Sequence, residues 1–509
     1  MGVDFHYFCP LLLQVSDMYS FILSLCALIL GYLLYGKFVE KIFVPDPERT
    51  TPAITKEDGV DFIPMPAWKV YMIQFLNIAG TGPIFGAIMG AKFGPSAYLW
   101  IVFGCIFAGA VHDYMSGMMS IRGQGANLPW LIGHYLGGGL KKVMLVFTII
   151  LLILVGAVFV YSPALILGDI AGVAGSGTSA SIMFWIAIIL IYYIIATLLP
   201  IDKIIGKIYP VFAIALIFMA VGLMCCLFIK WPSLPEFWEG LQNRGPEVGM
   251  NGQSIFPCLF ITIACGAISG FHATQSPMMA RCMKSERIAR PVFYGSMITE
   301  GIVALIWAAV ASYFYFDGGA AEVGAEISAA APTIVTKVSH SWLGTFGGIL
   351  AILGVVAAPI TSGDTCFRSA RLTVAGLFKY DQRPLKNRLL ICIPLFIASG
   401  LLLWFNIADE NGFNIIWRYF GWINQTLSVF TLWAISVCLV KRREGAAYLI
   451  AEIPALLMTI VTVTFILTQK IGFGLPLEAG ILISCLLAMA LDGIFHYKCF
   501  RSDFIGSEK

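Results

Sequence analysis

The stretch NIAGTGPIFGAIMG, Asn77 to Gly90, decides how this chain is read. It is apolar enough to enter a bilayer, yet it holds four glycines and a proline in fourteen residues. In hydrocarbon every backbone amide and carbonyl needs a partner, so unwound backbone survives there only where protein or a cavity covers it. Gly80, Thr81 and Gly82 permit unwinding, and Pro83 suits the first turn of a new half-helix, where no amide hydrogen is needed. Amides freed at such a start can meet an anion. The alternative is close helix packing through Gly82, Gly86 and Gly90, spaced four apart.

A second stretch, SIFPCLFITIACGAISGFHATQSPMMA (254–280), is interrupted in the same way by Gly266, Ser269, Gly270, His272, Thr274, Gln275, Ser276 and Pro277. It lies five hydrophobic spans later and runs the opposite way. Two such breaks predict a five-plus-five inverted repeat, residues 68–229 and 254–440, with a ligand held between the breaks near the midplane.

The rest of the chain agrees with a membrane setting. Of 509 residues 59% are hydrophobic and 12% charged, where a soluble domain is about one quarter charged. Hydropathy predicts an all-α polytopic membrane protein with about thirteen spans: 19–38, 68–91, 95–118, 143–168, 181–200, 208–229, 254–279, 291–315, 342–366, 389–406, 416–440, 448–468 and 474–497. The segments before and after the repeat are 1–67, with the first helix and a loop, and 441–509, with two helices and a short tail. No separate soluble domain is expected, and nucleic acid is not an expected partner. With the loop after the first span in the cytoplasm, roughly 26 of the 32 basic residues fall on that side, which predicts an N-terminus outside and a C-terminus inside. The thirteen cysteines include no CxxC pair; Cys26, Cys105, Cys258, Cys265, Cys392, Cys438 and Cys485 read as small buried hydrophobes. The opening MGVDFHYFCPLLLQVSD lacks the basic region and cleavage site of a signal peptide, and Met18 is an alternative start.

Several motifs carry a family resemblance: GYLLYGKFVEKIF (31–43), TPAITKEDGVDFIP (51–64), NIAGTGPIFGAIMGAKFGP (77–95), LWIVFGCIFAGAVHDYMSGMMSIR (99–122), GFHATQSPMMARC (270–282) and SGDTCFRSARL (362–372). In this order, over nearly the whole chain, they resemble the carbon starvation protein family, in its shorter form. The resemblance implies uptake of peptides across the inner membrane, and for some members proton-coupled uptake of pyruvate. It also implies the fold of the amino acid-polyamine-organocation superfamily, whose transporters have five-plus-five repeats.

Ionisable groups within spans cost at least about 2.5–3.5 kcal/mol at a helix centre, so each needs a reason. His112 and Asp113, followed by Tyr114, end the apolar part of the third span and are candidates for gating or proton handling, against a structural polar network. Being adjacent on a helix, they are expected to point to different faces. Glu300 sits about ten residues into the eighth span with no basic neighbour on its own helix, and is a proton-carrier candidate. His272, in the second break, can change charge near neutral pH and is a candidate ligand contact. In APITSGDTCFRSARL the oxygens of Thr361, Ser362, Asp364 and Thr365, with carbonyls near Ala79 and Gly80, fit a sodium-type site or a proton site at Asp364. The alternative there is helix capping and an ion pair with Arg368. Asn424 and Gln425 either line the pathway or bond helices together. Asp202, Lys203 and Lys207 read as a solvated helix end.

Taken together these residues point to a secondary transporter working by alternating access, coupled to a proton or sodium ion. The substrate set is Asn77, Gly80, Thr81, Gly82, Ser269, Gly270, His272, Gln275, Ser276, Asn424 and Gln425; the coupling set is Ala79, His112, Asp113, Glu300, Thr361, Ser362, Asp364 and Thr365. No resident cofactor and no metal site are expected. There is no Walker motif to harness ATP. A membrane metalloenzyme is the competing class, although the six histidines are scattered without an HExxH pair. An ion channel would need a continuous polar file, whereas the polar groups concentrate at the two breaks and the ninth span.

Overall fold

The computed structural model describes residues 18–170, 178–198, 205–382, 384–408 and 412–500. Asp202, Lys203 and the first seventeen residues lie outside the described residues, as does the side chain of Lys207. The principal helices are α1 (Tyr19–Ile42), α2 (Ala67–Ile78), α3 (Gly82–Ala91), α4 (Ser96–Arg122), α5 (Gly138–Gly168), α6 (Ala180–Leu198) and α7 (Tyr209–Lys230). They continue as α8 (Ile255–Thr262), α9 (His272–Ala280), α10 (Glu286–Phe316), α11 (Ala331–Phe378), α12 (Leu385–Ala408), α13 (Ile415–Lys441), α14 (Gly445–Thr468) and α15 (Leu477–Cys499). No β-strand forms among the described residues; one isolated bridge joins Met65 and Met283.

Eleven of these helices are long and apolar enough to cross a membrane, and α2 with α3, bent by 53°, are long and apolar enough only as a pair, for up to twelve candidate spans. The count of thirteen is therefore not reached by helices of that length. The expected seventh span forms only the eight-residue α8 and the nine-residue α9, separated by irregular backbone over 263–271. The glycines and hydroxyl residues that announced a break there leave no helix of membrane length. The ninth span belongs to the 48-residue α11, which turns at Gly344, where φ is +67° and only glycine is unstrained.

Contacts at both ends fix the sense of the two broken stretches. The start of the first meets the end of the second, because the Met65 amide donates to the Cys282 carbonyl (3.0 Å). At the other end Ser96 Oγ, just past the first stretch, donates to the Leu241 carbonyl (3.2 Å), in the loop that precedes the second. The two stretches thus run antiparallel. Between these ends they touch through glycine: a Cβ on Gly82 would lie 2.4 Å from Cys265 Sγ, one on Gly86 2.7 Å from the Thr262 carbonyl oxygen, and one on Gly90 2.2 Å from Ile263. Unwinding and tight packing, alternatives in the sequence, occur together.

The loop 43–66 lies across one end as a strap. Glu286 Oε2 accepts from the Asp46 amide and from Arg122 Nη2 (2.8 and 3.0 Å), while Asp61 receives Arg368 Nη1 (3.2 Å) and Arg371 Nη2 (3.1 Å). Cys105, Cys258, Cys265, Cys392 and Cys438 are buried as expected, whereas Cys26 is exposed and Cys485 half-buried. The last two sit on the outward faces of α1 and α15, helices whose flanks are apolar because they are suited to lipid.

Candidate functional site: two broken crossings and a buried histidine–carboxylate chain

The backbone groups freed at the first break find partners. In a continuous helix the Gly80 amide would bond the Leu76 carbonyl; instead it bonds the Ile78 carbonyl (2.9 Å), and Ser362 Oγ donates to Leu76 (3.0 Å). Ser362 therefore stands at the break, as expected for the ninth span. Gly80 is held close: a Cβ there would meet the Phe159 ring at 2.6 Å and Ser362 Oγ at 3.4 Å. Beyond Ala79 and Thr81 a π-helical turn, Gly82–Gly86, leads into the rest of α3.

The second break is fastened by α13. Asn424 Oδ1 accepts from Ser269 Oγ (3.0 Å) and the Phe271 amide (2.7 Å), and its carbonyl accepts from the Gly270 amide (3.2 Å). Trp100 Nε1 donates to the Ile263 carbonyl (2.9 Å). Gln425 Nε2 donates to the Phe260 carbonyl (3.2 Å). Asn424 and Gln425 thus bond helices and loop together. Glycine again sets the approach: a Cβ on Gly109, in α4, would lie 2.2 Å from the Ala267 carbonyl oxygen. One turn later on α4 come His112 and Asp113.

These two do not diverge. His112 Nδ1 lies 2.8 Å from Asp113 Oδ1, although the two start from different faces of the helix; the 100° between successive positions is spanned by the side chains. Asp113 Oδ2 in turn lies 2.9 Å from His272 Nδ1, and His272 Nε2 faces Glu300 Oε2 at 3.5 Å. All four residues are fully buried. A carboxylate accepting from both rings places a hydrogen on each Nδ1 and directs each Nε2 away from it. His272 Nε2 and both Glu300 oxygens form no hydrogen bond among the described residues. Candidates from three separate spans thus form one chain across α4, α9 and α10.

The first break is lined by polar side chains in the same condition. Gln74 Nε2 and Oε1, Asn77 Nδ2 and Oδ1, and Thr81 Oγ1 are buried without a hydrogen-bond partner among the described residues, as is Gln275 Oε1. Each such group costs about 1–3 kcal/mol unless something satisfies it. Gln74 was not among the sequence candidates, although it stands one helical turn before Asn77 and is the only other amide side chain in that span. Gln275 Nε2 is taken by Thr274 Oγ1 (2.9 Å), and Ser276 Oγ returns to the His272 carbonyl (3.1 Å).

On α11, Thr361 Oγ1 donates to the Ala357 and Ala358 carbonyls, and Thr365 Oγ1 to those of Thr361 and Ser362. Asp364 Oδ2 accepts from Tyr209 OH (2.9 Å), a residue of α7 that the sequence did not single out. Arg368 turns to Asp61 and to the Ala196 carbonyl (2.7 Å), because the strap brings a carboxylate to it. Burial alone would raise the pKa of Asp61, but the guanidiniums of Arg371, Arg368 and Arg281 overcome this and hold it below the usual carboxylate range. Next to it lies a cavity of about 560 Å³, lined in part by Lys56, Asp61, Phe62, Arg281 and Tyr380.

The family model described as carbon starvation protein CstA matches residues 16–174, 170–342 and 318–465. A Haemophilus influenzae uncharacterized membrane protein is 47% identical over 58% of this chain and 91% of its own. The Escherichia coli peptide transporter CstA is 26% identical over 90% of this chain and 83% of its own. The E. coli pyruvate/proton symporter BtsT is 28% identical over 59% of this chain and 49% of its own. Among solved structures, the Eremococcus coleocola manganese transporter aligns with a TM-score of 0.51 at 12% identity, covering 86% of this chain and 96% of that one, which shows a shared fold. Two broken antiparallel stretches, a buried polar interior and these relatives describe a secondary transporter, not an enzyme or a channel, and the chain belongs to the carbon starvation protein CstA family.

Proposed function

We propose that this chain takes up a small solute bearing a carboxylate, a short peptide or pyruvate, across the inner membrane by proton-coupled alternating access. The observation that carries this reading is the set of buried polar atoms without a partner among the described residues, on Gln74, Asn77 and Thr81 at the first break and on Gln275 of α9. A solute with a carboxylate and a carbonyl or amide satisfies such donors and acceptors, and the helix start at Gly82 adds amides with no intrahelical partner. No arginine lies at the breaks, so the anion is held by neutral donors and the helix dipole.

The two halves, 67–230 and 255–441, are the inverted repeats, each opening with its broken crossing. Protons move along Asp113, His272 and Glu300. Asn424, Gln425 and Ser362 keep the breaks in shape, while Asp364 with Tyr209 couples α7 to α11. The chain's orientation follows the basic residues, with the strap 43–66 in the cytoplasm. There Asp61, with Arg368 and Arg371, closes the inner end, and the adjacent 560 Å³ cavity is the exit vestibule.

Uptake of labelled pyruvate and of a labelled dipeptide into proteoliposomes, with pH and sodium gradients imposed separately, tests the proposal. Accumulation driven by an inward proton gradient is expected. Accumulation that follows sodium alone would move the coupling site from His272 to the oxygens around Asp364, and no accumulation of either solute under any gradient would overturn the reading.

A further inference from the structure

Cys265, His272 and Glu300 each offer one ligand atom, a sulfur, an imidazole nitrogen and a carboxylate oxygen, all within 4.8 Å of one another. They come from the irregular segment, from α9 and from α10, and are at most 2% exposed. In a tetrahedral zinc site nitrogen and oxygen stand about 2.0–2.2 Å from the metal, hence about 3.3–3.5 Å from each other. His272 Nε2 and Glu300 Oε2 already stand at 3.5 Å. Among the described residues neither atom has a hydrogen bond, and only the long contacts of Cys265 Sγ, to Ser269 Oγ at 3.7 Å and from Asn424 Nδ2 at 3.6 Å, compete with ligation.

The rest of the arrangement agrees. Metal-bound imidazoles donate their other ring hydrogen to a carboxylate or carbonyl, which fixes the tautomer and raises ligand basicity. His272 Nδ1 is so engaged by Asp113 Oδ2 at 2.9 Å, and Asp113 is held from its other side by His112. A thiolate and a carboxylate neutralise a dication, which lowers the cost of placing it in a dry interior. Sulfur with nitrogen favours zinc and cobalt over magnesium or calcium, which prefer oxygen alone. Three protein ligands leave a fourth position for water or a solute carboxylate.

We propose that Cys265, His272 and Glu300 form a binding site for one divalent transition-metal ion of the zinc class, oriented by Asp113. The ion takes up the Nε2 lone pair and the Glu300 oxygen, and binding releases the Cys265 thiol proton to solvent. The site stands on geometry and does not require the transported solute to be known. It does share two groups with the proton route, so a bound ion stops proton movement through them.

The test is cobalt(II) titration of the purified full-length protein in detergent, at neutral pH, followed by absorption. The expected result is tetrahedral visible bands and a near-ultraviolet thiolate-to-metal band that saturate at one ion per chain. Cys265→Ser should lose the thiolate band, Cys392→Ser should keep it, and Asp113→Asn should weaken binding by about 10–100-fold. Glu300→Gln, eluting like the wild type in size-exclusion chromatography, should weaken it by more than tenfold, which guards against misfolding of the cysteine variant. The second group, Glu452, Asp492 and His496, offers no sulfur and cannot give that band. A wild type without the thiolate band, or a band that survives in Cys265→Ser, overturns the site. Neither result touches the uptake reading, which the imposed gradients test separately.

Discussion

Asp113 Oδ2 lies 2.9 Å from His272 Nδ1, and this pair joins a continuous helix to the second half of a broken crossing, 159 residues along the chain. It stands beside irregular backbone, where local rearrangement is easiest. Both residues are fully buried, so neither can lose the other without leaving an uncompensated polar group in the interior.

Asp113→Asn is expected to lower stability by about 3–5 kcal/mol, the usual cost of breaking a buried pair. His272→Gln should do the same. The double variant should cost clearly less than the sum, because the two residues share one interaction. Thermal unfolding of the three proteins in detergent measures this; strict additivity would separate the residues energetically.

Gly82→Ala should cut uptake sharply while the protein still inserts, and Gly82→Leu should abolish it. The added Cβ meets Cys265 Sγ at 2.4 Å, so the two breaks must separate. Gly139→Ala, where a Cβ meets nothing within 4 Å, should transport like the wild type. Proteoliposome uptake normalised to inserted protein gives the comparison.

The strap supplies a pH prediction. Asp61 is held below the usual carboxylate range, so its contribution is fully present above the unfolded value of about 3.9 and is lost as pH falls through the lower folded value. Between pH 5 and 8 Asp61 stays ionised. The variation of uptake over that range should therefore keep its shape in Asp61→Asn, while the unfolding temperature drops by an amount equivalent to about 3–5 kcal/mol, since Arg368 and Arg371 lose their shared carboxylate. A changed shape of the pH profile would count Asp61 among the proton-handling groups.

Ser362→Ala leaves the Leu76 carbonyl, freed by the first break, without its donor. The expected cost is about 1–3 kcal/mol, with a raised KM because the geometry at Gly80 loosens. Ser399→Ala, on α12 and away from the breaks, should change KM little. Unfolding and initial-rate uptake of both variants check this.

Much of the architecture was legible in one dimension because a bilayer imposes strict local rules. A span must be apolar over about 20 residues, and unwound backbone must be covered, so runs of apolar residues and the glycines and hydroxyls interrupting them announce crossings and breaks directly. Asn77 to Gly90, His272 and Ser362 were found that way. The same rules do not say how far a break extends. The irregular run 263–271 cost the seventh crossing its helical length, because Asn424, Trp100 and Gly109 hold it open from other elements.

Partnership belonged to the tertiary structure alone. Gln74, Tyr209 and Cys265 looked like ordinary members of apolar stretches, and Arg368 looked like a partner for its neighbour Asp364. Side-chain contacts are set by which helices pack together, and a hydrogen bond reaches only about 3 Å. Sequence determined that a polar interior and two breaks exist in this membrane protein; only packing decided that Asp113 serves His272 besides its neighbour His112 and that Asp61 answers two arginines, because those meetings bring residues 159 to 310 positions apart within that reach.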